Sequence, residues 1–250
     1  MRPKHREVQI AGTTLTELLL SLVIFMTLVS LGTLACSERL SRSRLTFAAS
    51  LIETTYRSAR RRAMDRAEWV YLAIASGAEL SEPAVCVRAF SFPDGRRGID
   101  PANPSASWEL MLAQQRDLRP VSAVLTLPEL RLLATAIPPE SGPLVRPPVH
   151  RYYRLGHPEC HSVTPIPMEE IVSEKAASEL ASRVIEISPL GACRILRDSN
   201  AYGTVTAMEI AFTYALPPAD PENEPDDPGP ERYAAIQISA TTGYSRGYTP

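Results

Sequence analysis

Glu17 is a single carboxylate at the start of a long uncharged stretch of the chain. The nineteen residues from Leu18 to Cys36 include no acidic or basic side chain. About 20 apolar residues are enough for a helix to cross a bilayer, and an ionised carboxylate near hydrocarbon is costly without a positive partner. The sequence therefore predicts that Glu17, at the start of this apolar span, has a functional role.

A second reactive group is the stretch His157-Pro-Glu-Cys160-His161, with His150 nearby. Imidazole and thiolate groups at this spacing would suit a zinc ion or a Cys–His nucleophile pair. The stretch lacks the second cysteine of a structural zinc site, and neither a partner acid nor a Gly-rich oxyanion turn accompanies it. A loop that contains one half of a disulfide is the simpler interpretation.

Carboxylates are concentrated in a proline-rich segment, residues 217–231. The oxygen ligands that calcium would prefer there come from Asp220, Glu222, Glu224, Asp226 and Asp227. Their spacing lacks the Asp-x-Asp-x-Asp-Gly order of a known calcium loop, and the prolines restrict wrapping around an ion. We therefore predict a solvated, semi-rigid loop that holds no metal.

The remaining sequence carries no signature of catalysis. It has no Gly-x-Ser-x-Gly, no phosphate-binding glycine loop and no His-Glu-x-x-His. The formal net charge of −2 argues weakly against a nucleic-acid binder. We predict a protein that is not an enzyme and has no cofactor.

The elements that position these residues begin with a short basic leader. Arg2, Lys4 and Arg6 precede Gly12, and positive residues tend to keep the near end of a span in the cytoplasm. A single-pass protein with everything after Cys36 on the outer side is therefore expected. An ordinary signal anchor is an alternative, whereas a secretory signal would have a shorter apolar region that ends in small residues at a cleavage site.

The leader, Gly12, the apolar span and Glu17 together resemble the class III signal of type IV pilins and pseudopilins. The resemblance implies cleavage after Gly12 by a prepilin peptidase and methylation of the new amino terminus at Thr13, where most members have phenylalanine. It also makes Glu17 the fifth residue of the mature chain. In a bundle of parallel helices, this carboxylate would pair with the amino group of Thr13 in a neighbouring subunit.

The helix is predicted to continue beyond the span as an amphipathic segment, residues 37–66. Apolar or small residues recur there at intervals of three and four, namely at Leu40, Phe47, Leu51, Ile52, Thr55, Tyr56, Ala59 and Ala63. Five arginines lie in residues 57–66. They could contact anionic lipid, nucleic acid or an acidic neighbouring subunit, but a solvated helix face is the favoured interpretation because no aromatic residues interleave.

The rest of the chain, residues 67–250, reads as a head of short strands. Alternating runs such as Val70–Ile74, Arg183–Ile187 and Thr204–Ala215 predict a mostly antiparallel sheet structure, and Ile171–Leu180 predicts a second short helix. The expected fold class is α+β, with a long amino-terminal helix packed on this head. The Ala-Arg-rich helix end leading into a strand resembles the GspH/FimT type of minor pseudopilin, and this resemblance implies a pilin-like fold.

Three of the four cysteines, Cys86, Cys160 and Cys193, fall in the predicted head, whereas Cys36 lies at the end of the span. Disulfides persist in the periplasm, so one head disulfide with one thiol left over is the simplest expectation. Cys160 with Cys193 is the first pair to expect, although sequence alone does not establish connectivity.

The resemblances to the class III signal and to the GspH/FimT type together imply a structural subunit, a minor pseudopilin near the tip of a type II secretion pseudopilus. The resemblance implies three partners: other pilin-like subunits, the prepilin peptidase and an inner-membrane assembly platform. It also implies a bacterial inner-membrane location with a cytoplasmic amino terminus and a periplasmic head. The alternatives are a minor pilin of a type IV pilus or DNA-uptake machine, and a membrane-anchored periplasmic enzyme or metal protein that uses Cys160, His157 and His161.

Overall fold

The described residues form an α+β fold, with one long helix and three antiparallel sheets. The computed structural model describes residues 15–76, 84–97, 118–133, 149–150, 153–160, 166–167, 180–196, 206–214 and 233–248, without the side chains of residues 32–38, 159, 167 and 180. The chain divides into two compact units, residues 1–41 and residues 42–250. The predicted α+β fold class, with mostly antiparallel strands, is confirmed.

Helix α1 spans Leu15–Arg66 and contains no proline. Gly32 is its single glycine, so the residues that most strongly oppose helix formation are nearly absent from it. It ends at the predicted residue. Ala67 takes a left-handed conformation, with φ of 52°, and the Glu68 N–H donates to the Ala63 carbonyl at 3.1 Å. This geometry is a helix stop that glycine usually provides.

Replacing Ala67 with glycine is expected to stabilise the head by about 0.5–1 kcal/mol. The left-handed conformation strains a residue with a Cβ but does not strain glycine. The free energy gained by removing this strain exceeds the cost of the greater conformational entropy that glycine gives the unfolded chain. Chemical unfolding of Ala67→Gly and of the wild type measures the difference. A matched Ala59→Gly change, inside α1, should destabilise instead. A less stable Ala67→Gly variant would contradict the expectation.

In the part of the chain that the structure describes, twelve strands follow the helix. They are β1 (Val70–Ser76), β2 (Ala84–Ser91), β3 (Arg119–Pro120), β4 (Leu125–Pro128), β5 (Leu130–Leu132), β6 (Ile166–Pro167), β7 (Leu180–Ala181), β8 (Arg183–Ile187), β9 (Cys193–Leu196), β10 (Ala207–Tyr214), β11 (Tyr233–Ser239) and β12 (Ser245–Tyr248). The first sheet has the order β3-β2-β1-β8-β9, with β4 also paired to β2; the second has the order β12-β11-β10-β5; β6 and β7 form a third.

The main core lies where the second part of α1 packs against one face of the first sheet and one face of the second. Ile52, Tyr56, Ala59 and Ala63 are buried there, as the helical spacing predicts. The prediction was wrong for Leu40 and Phe47, which are 57% and 64% exposed. At about 100° per residue around the helix, Phe47 points some 140° away from Ile52, so it lies outside the face of α1 that packs on the sheets.

The other faces of the two sheets bury smaller clusters. Tyr71, Phe90 and Phe92 belong to the cluster on the first sheet, and Ala211, Ala235 and Tyr248 to the cluster on the second. Because both faces of each sheet are covered, strands such as β1 and β10 are buried almost throughout. Near-continuous apolar runs, rather than strict alternation, are typical of such strands.

Some local predictions differ from the structure. Of the strand predicted over Arg151–Leu155, the structure describes residues 153–155, where Arg154 forms an isolated bridge with Glu209; the 3-10 helix Pro158–Cys160 follows. Of the predicted helix Ile171–Leu180, only Leu180 lies within the described residues, and it belongs to β7. Strand β12 was not predicted from its local sequence; it forms because it pairs with β11.

Candidate assembly helix and its attachment to the head

The amino-terminal part of α1 exposes apolar side chains on every side. All residues from 15 to 31 are exposed within the described structure. The large apolar side chains among them are Leu15, Leu18, Leu19, Leu20, Leu22, Val23, Ile24, Phe25, Met26, Leu28, Val29 and Leu31. The Thr27 hydroxyl donates to the Ile24 carbonyl at 2.8 Å, and the Ser21 hydroxyl donates to the Glu17 carbonyl. These hydroxyls are therefore satisfied within the helix.

Glu17 lies in the first turn of α1 as the structure describes it, and its side chain is exposed. A carboxylate near the start of a helix interacts favourably with the positive end of the helix dipole. Gly12 and Thr13, the predicted cleavage and methylation positions, lie outside the described residues. So do the side chains of residues 32–38, including Cys36 in the last part of the predicted span. Among the residues that the structure describes, no helix combines the length and the apolar character needed to cross a membrane.

Tyr56 attaches α1 to the head from the centre of the main core. Its hydroxyl donates to the Gly243 carbonyl at 2.7 Å and lies 3.0 Å from the Cys193 Sγ. Burial raises the pKa of Tyr56, and the neighbouring Cys193 adds to this shift. A neutral phenol therefore joins the helix to the two turns that precede β9 and β12.

Arg60 adds two charge-assisted hydrogen bonds to the same turns. Its Nε donates to the Gly191 carbonyl at 3.3 Å, and its Nη2 donates to the Thr242 carbonyl at 2.7 Å. One turn earlier in α1, Arg57 Nε donates to the Ser245 Oγ at 3.1 Å. Arginine bonds of this kind are stronger than neutral ones. Two of the five clustered arginines therefore hold the fold together.

Glu53 completes the attachment at the start of β12. Its Oε1 accepts hydrogen bonds from Arg57 Nη2 at 2.8 Å and from the Ser245 hydroxyl at 3.0 Å. Arg62 pairs with Glu68, and Arg61 with Asp65, farther along the helix. The arginine segment thus makes several intramolecular contacts, which supports its interpretation as a structural and solvated helix face.

Gly191 and Gly243 allow the two turns to meet. Their φ angles are 80° and 64°, a region that residues with a Cβ rarely adopt. A Cβ placed at Gly243 would lie 2.0 Å from the Gly191 carbonyl oxygen and 2.5 Å from Arg60 Nε. The contact between these turns therefore requires glycine at position 243.

Cys193 is a buried thiol in this network, and burial raises its pKa from 9.0 to about 11. A thiol that stays protonated is a poor nucleophile and metal ligand. Tyr56 and Arg60 act in the opposite direction, but their effect is smaller. The Sγ also donates to the Gly191 carbonyl at 3.6 Å. The geometry supports a structural role for this cysteine.

Raising the pH above 9 is expected to destabilise the head through Cys193. The folded state keeps the Cys193 thiol protonated, whereas in the unfolded chain the same thiol ionises near its ordinary pKa. The free energy of unfolding is therefore unchanged below the ordinary pKa and declines above it. A shift to about 11 corresponds to a loss of roughly 2–3 kcal/mol. Unfolding curves from pH 8 to 11 for the wild type and Cys193→Ser should diverge by about this amount. Parallel curves would contradict the expectation.

The predicted Cys160–Cys193 disulfide is absent, since Cys86, Cys160 and Cys193 are buried free cysteines. The Cys193 Sγ faces the Tyr56 hydroxyl and the Gly191 carbonyl instead of another sulfur. Cys86 lies on β2, three strands from β9, which corresponds to about 14 Å at the usual strand spacing. A disulfide requires Cα atoms within about 7 Å, so Cys86 cannot replace Cys160 as the partner.

The predicted metal and nucleophile candidates are only partly described. His150 packs against Tyr153, with ring centroids 6.0 Å apart, and His157 lies next to the 3-10 helix that contains the buried Cys160. Within the described ranges, no three His, Cys, Asp or Glu side chains are close enough to hold a metal ion. The other candidates lie outside those ranges: His161, Asp220, Glu222, Glu224, Asp226 and Asp227.

The second sheet contains a buried ion pair that was not predicted from the sequence. Arg154 Nε donates to Glu209 Oε1 at 3.0 Å, and Gln237 Nε2 donates to Glu209 Oε2 at 2.9 Å. Arg154 and Glu209 are almost completely buried. The single Glu within the apolar strand β10 was the available signal. Its partner could not be inferred, because Arg154 is 55 residues away in the chain.

A second acidic side chain, Glu186, is buried between two arginines on the first sheet. Arg97 donates to both of its oxygens, at 3.2 and 3.0 Å, and Arg194 donates to one of them. The Arg97 guanidinium also stacks on Trp69, with 4.3 Å between Cζ and the ring centroid. These pairs fix the segment after β2 against the sheet.

Comparison with protein-family models, curated proteins and solved structures found no match to this chain. Function is therefore inferred from the amino-terminal motif and from the contacts of α1.

Proposed function

We propose that this chain is a structural pilin-like subunit, a minor pseudopilin that joins a type II secretion pseudopilus through the first part of α1. The observation that supports this best is the helix from Leu15 to Leu31, which is exposed and apolar on every side with Glu17 in its first turn. In this proposal the helix crosses a bacterial inner membrane once before assembly. The amino terminus is then cytoplasmic and the head periplasmic.

An all-round apolar helix needs apolar surroundings. Each large apolar side chain gains about 1.5–3 kcal/mol when it is fully removed from water, so the twelve exposed ones in residues 15–31 would drive association strongly. A helix of this kind is normally buried in a membrane or among other helices. A pilin-like subunit uses both environments, because its helix leaves the bilayer to enter a bundle.

Glu17 gives such a bundle a register. Cleavage after Gly12 would create a positive amino group at Thr13, four residues before the carboxylate. Pairing of these groups between neighbouring subunits neutralises both charges in apolar surroundings, whereas a lone carboxylate would be destabilising. The same pairing would favour a cleaved subunit over an uncleaved one.

The attachment of α1 to the head suits a structural role. Tyr56, Arg57 and Arg60 bind the turns before β9 and β12 over about one turn of helix. Through these bonds, the part of α1 in residues 42–66 and the sheets form one unit.

Intact mass measures processing directly. The chain should be expressed with and without a prepilin peptidase and extracted from membranes. With the peptidase, the mass is expected to fall by that of residues 1–12, with or without one methyl group on Thr13. A Gly12→Val variant should keep its full mass, whereas the control Gly32→Val should still be cleaved. Equal masses with and without the peptidase would refute pilin-type processing.

The host machine is tested by gene deletion. A pseudopilin of the secretion system should be required for release of secreted proteins, and transformation by external DNA should be unaffected. The reverse result would assign the chain to a pilus or DNA-uptake machine.

A further inference from the structure

Glu186 binds two guanidinium groups on the face of the first sheet that is turned away from α1. Glu186 in β8 and Arg194 in β9 are direct cross-strand partners, so their side chains project from the same face. Arg194 Nε and Arg97 Nη2 both donate to the Oε2 atom of Glu186, and Arg97 Nε donates to its Oε1 atom at 3.2 Å. Two positive charges are therefore held against one carboxylate.

The charges of this cluster do not balance. One carboxylate and two guanidinium groups leave one positive charge without a counterpart. Only 1% of the Glu186 side chain is exposed, and the side chains of Arg97 and Arg194 are 23% and 34% exposed. Water and salt screen such partly buried charges incompletely, so the two guanidinium groups repel each other. An additional anion would therefore stabilise the cluster.

The two arginines also have N–H groups that are not used in binding Glu186. Within the described part of the chain, Arg194 makes its one hydrogen bond through Nε, and its buried Nη2 has no partner. Among the same residues, Arg97 bonds to Glu186 through Nε and Nη2, and its Nη1 makes no hydrogen bond. A buried charged donor without a partner is costly, so a ligand that accepts hydrogen bonds from these nitrogens would be favoured.

Both guanidinium groups are already ordered. Arg97 stacks on Trp69, with 4.3 Å between Cζ and the ring centroid, while Glu186 binds its edge. The Trp69 N–H donates to the Gly95 carbonyl at 3.2 Å, which fixes the segment that carries Arg97. Arg194 lies on β9, the last strand in the order of the first sheet, where a ligand can approach. Ordered groups lose little conformational entropy when they bind a ligand.

We propose that Arg97 and Arg194 form a binding site for one carboxylate group, with Glu186 as the buried residue that positions both of them. The two oxygens of the ligand accept hydrogen bonds from terminal nitrogens of the arginines, in the planar geometry that guanidinium groups favour. One carboxylate supplies the single negative charge that the cluster lacks, whereas a phosphate group would carry about 1.5–2 charges. The site goes beyond the proposed function, because it requires neither Glu17 nor cleavage after Gly12.

The fluorescence of Trp69 tests the site in the full chain in detergent micelles. The sequence has two tryptophans, so a Trp108→Phe background leaves Trp69 as the only one. A carboxylate that binds Arg97 changes the charge next to the indole ring. Titration with sodium acetate should therefore change the Trp69 emission along a saturable curve, whereas sodium chloride at equal ionic strength should not. No response, or a response that follows ionic strength alone, would overturn the proposal.

Variants of Arg194 locate the site. Arg194→Gln should raise the dissociation constant of acetate about tenfold or more, because it removes one of the two cations. The fold should be kept, since Glu186 retains both bonds from Arg97. Arg194→Lys should restore part of the affinity, because lysine keeps the charge but lacks the planar fork. The control Arg61→Gln removes an exposed arginine of α1 and should have no effect. Equal constants for Arg194→Gln and the wild type would contradict the proposal.

Two further ligands identify the source of the carboxylate. A blocked tripeptide with a central aspartate presents the side chain of a protein, whereas acetate represents a free small acid. Both should bind, and the tighter of the two assigns the source. Inorganic phosphate should bind more weakly than either, and tighter binding of phosphate would overturn the assignment to a carboxylate. A Glu17→Gln background should leave these constants unchanged, so failure of the proposed function would not mimic failure of this site.

Discussion

Gly243→Ala is expected to destabilise the head by more than about 3 kcal/mol. The new Cβ would lie 2.0 Å from the Gly191 carbonyl oxygen, so the two turns would have to separate. The left-handed backbone adds about 1–2 kcal/mol of strain for a residue with a Cβ. Separation would also weaken the Tyr56 bond to the Gly243 carbonyl, in a buried site where an unpaired group is costly. Against a typical total stability of about 5–15 kcal/mol, this is a large loss.

Gly95→Ala is the matched control for this expectation. Gly95 has a similar φ of 67°, but a Cβ there would meet only Glu68, at 3.2 Å from its side-chain Cβ. The backbone strain is therefore comparable and the carbonyl clash is missing. Chemical unfolding, followed by the fluorescence of Trp69, should show a much smaller loss for Gly95→Ala. Equal losses for the two variants would mean that the contact between the turns is not what stabilises the head.

Glu17→Gln is expected to reduce incorporation into filaments by about tenfold or more. Glutamine has nearly the same size and helix propensity, so the change removes only the charge. The amino group at Thr13 of the neighbouring subunit would then have no carboxylate partner in an apolar bundle. A tenfold loss corresponds to about 1.4 kcal/mol, which is modest for a charge pair outside water. The measurement is the fraction of processed subunit recovered in sheared filaments.

The control for Glu17→Gln is Glu129→Gln. Glu129 is an exposed acid of the head that pairs with Arg44 at 3.7 Å, so the same chemical change occurs far from the apolar helix. Incorporation should stay at the wild-type level for this variant, and both variants should be processed and folded normally. Normal incorporation of Glu17→Gln would exclude charge pairing as the basis of assembly.

Much of the helix could be predicted because its signals are local. The absence of proline and the three- and four-residue spacing of Ile52, Tyr56, Ala59 and Ala63 indicated a helix that ends near Arg66, and α1 ends there. The same reasoning failed at Phe47, because apolar character alone does not say which of several apolar residues faces the head. The face of α1 that is buried depends on where the sheets pack against it.

The candidate site was predicted less completely. Glu17 stood out by sequence because one charge beside nineteen uncharged residues needs a partner. The attachment of α1 was not foreseen, since Tyr56 and Gly243 are 187 residues apart and their bond requires the fold. The disulfide was predicted wrongly because a count of cysteines carries no distances.

The sequence by itself determined the helix, the antiparallel strands and the apolar span with its single acid, because each depends on residues that are close along the chain. The tertiary structure decided which buried charges meet, as in Arg154 with Glu209, and where a cysteine becomes an inert thiol, as in Cys193. It also decided that the turns at Gly191 and Gly243 touch. These features join distant parts of the chain, and the free energy of such contacts exists only once the sheets and α1 have packed.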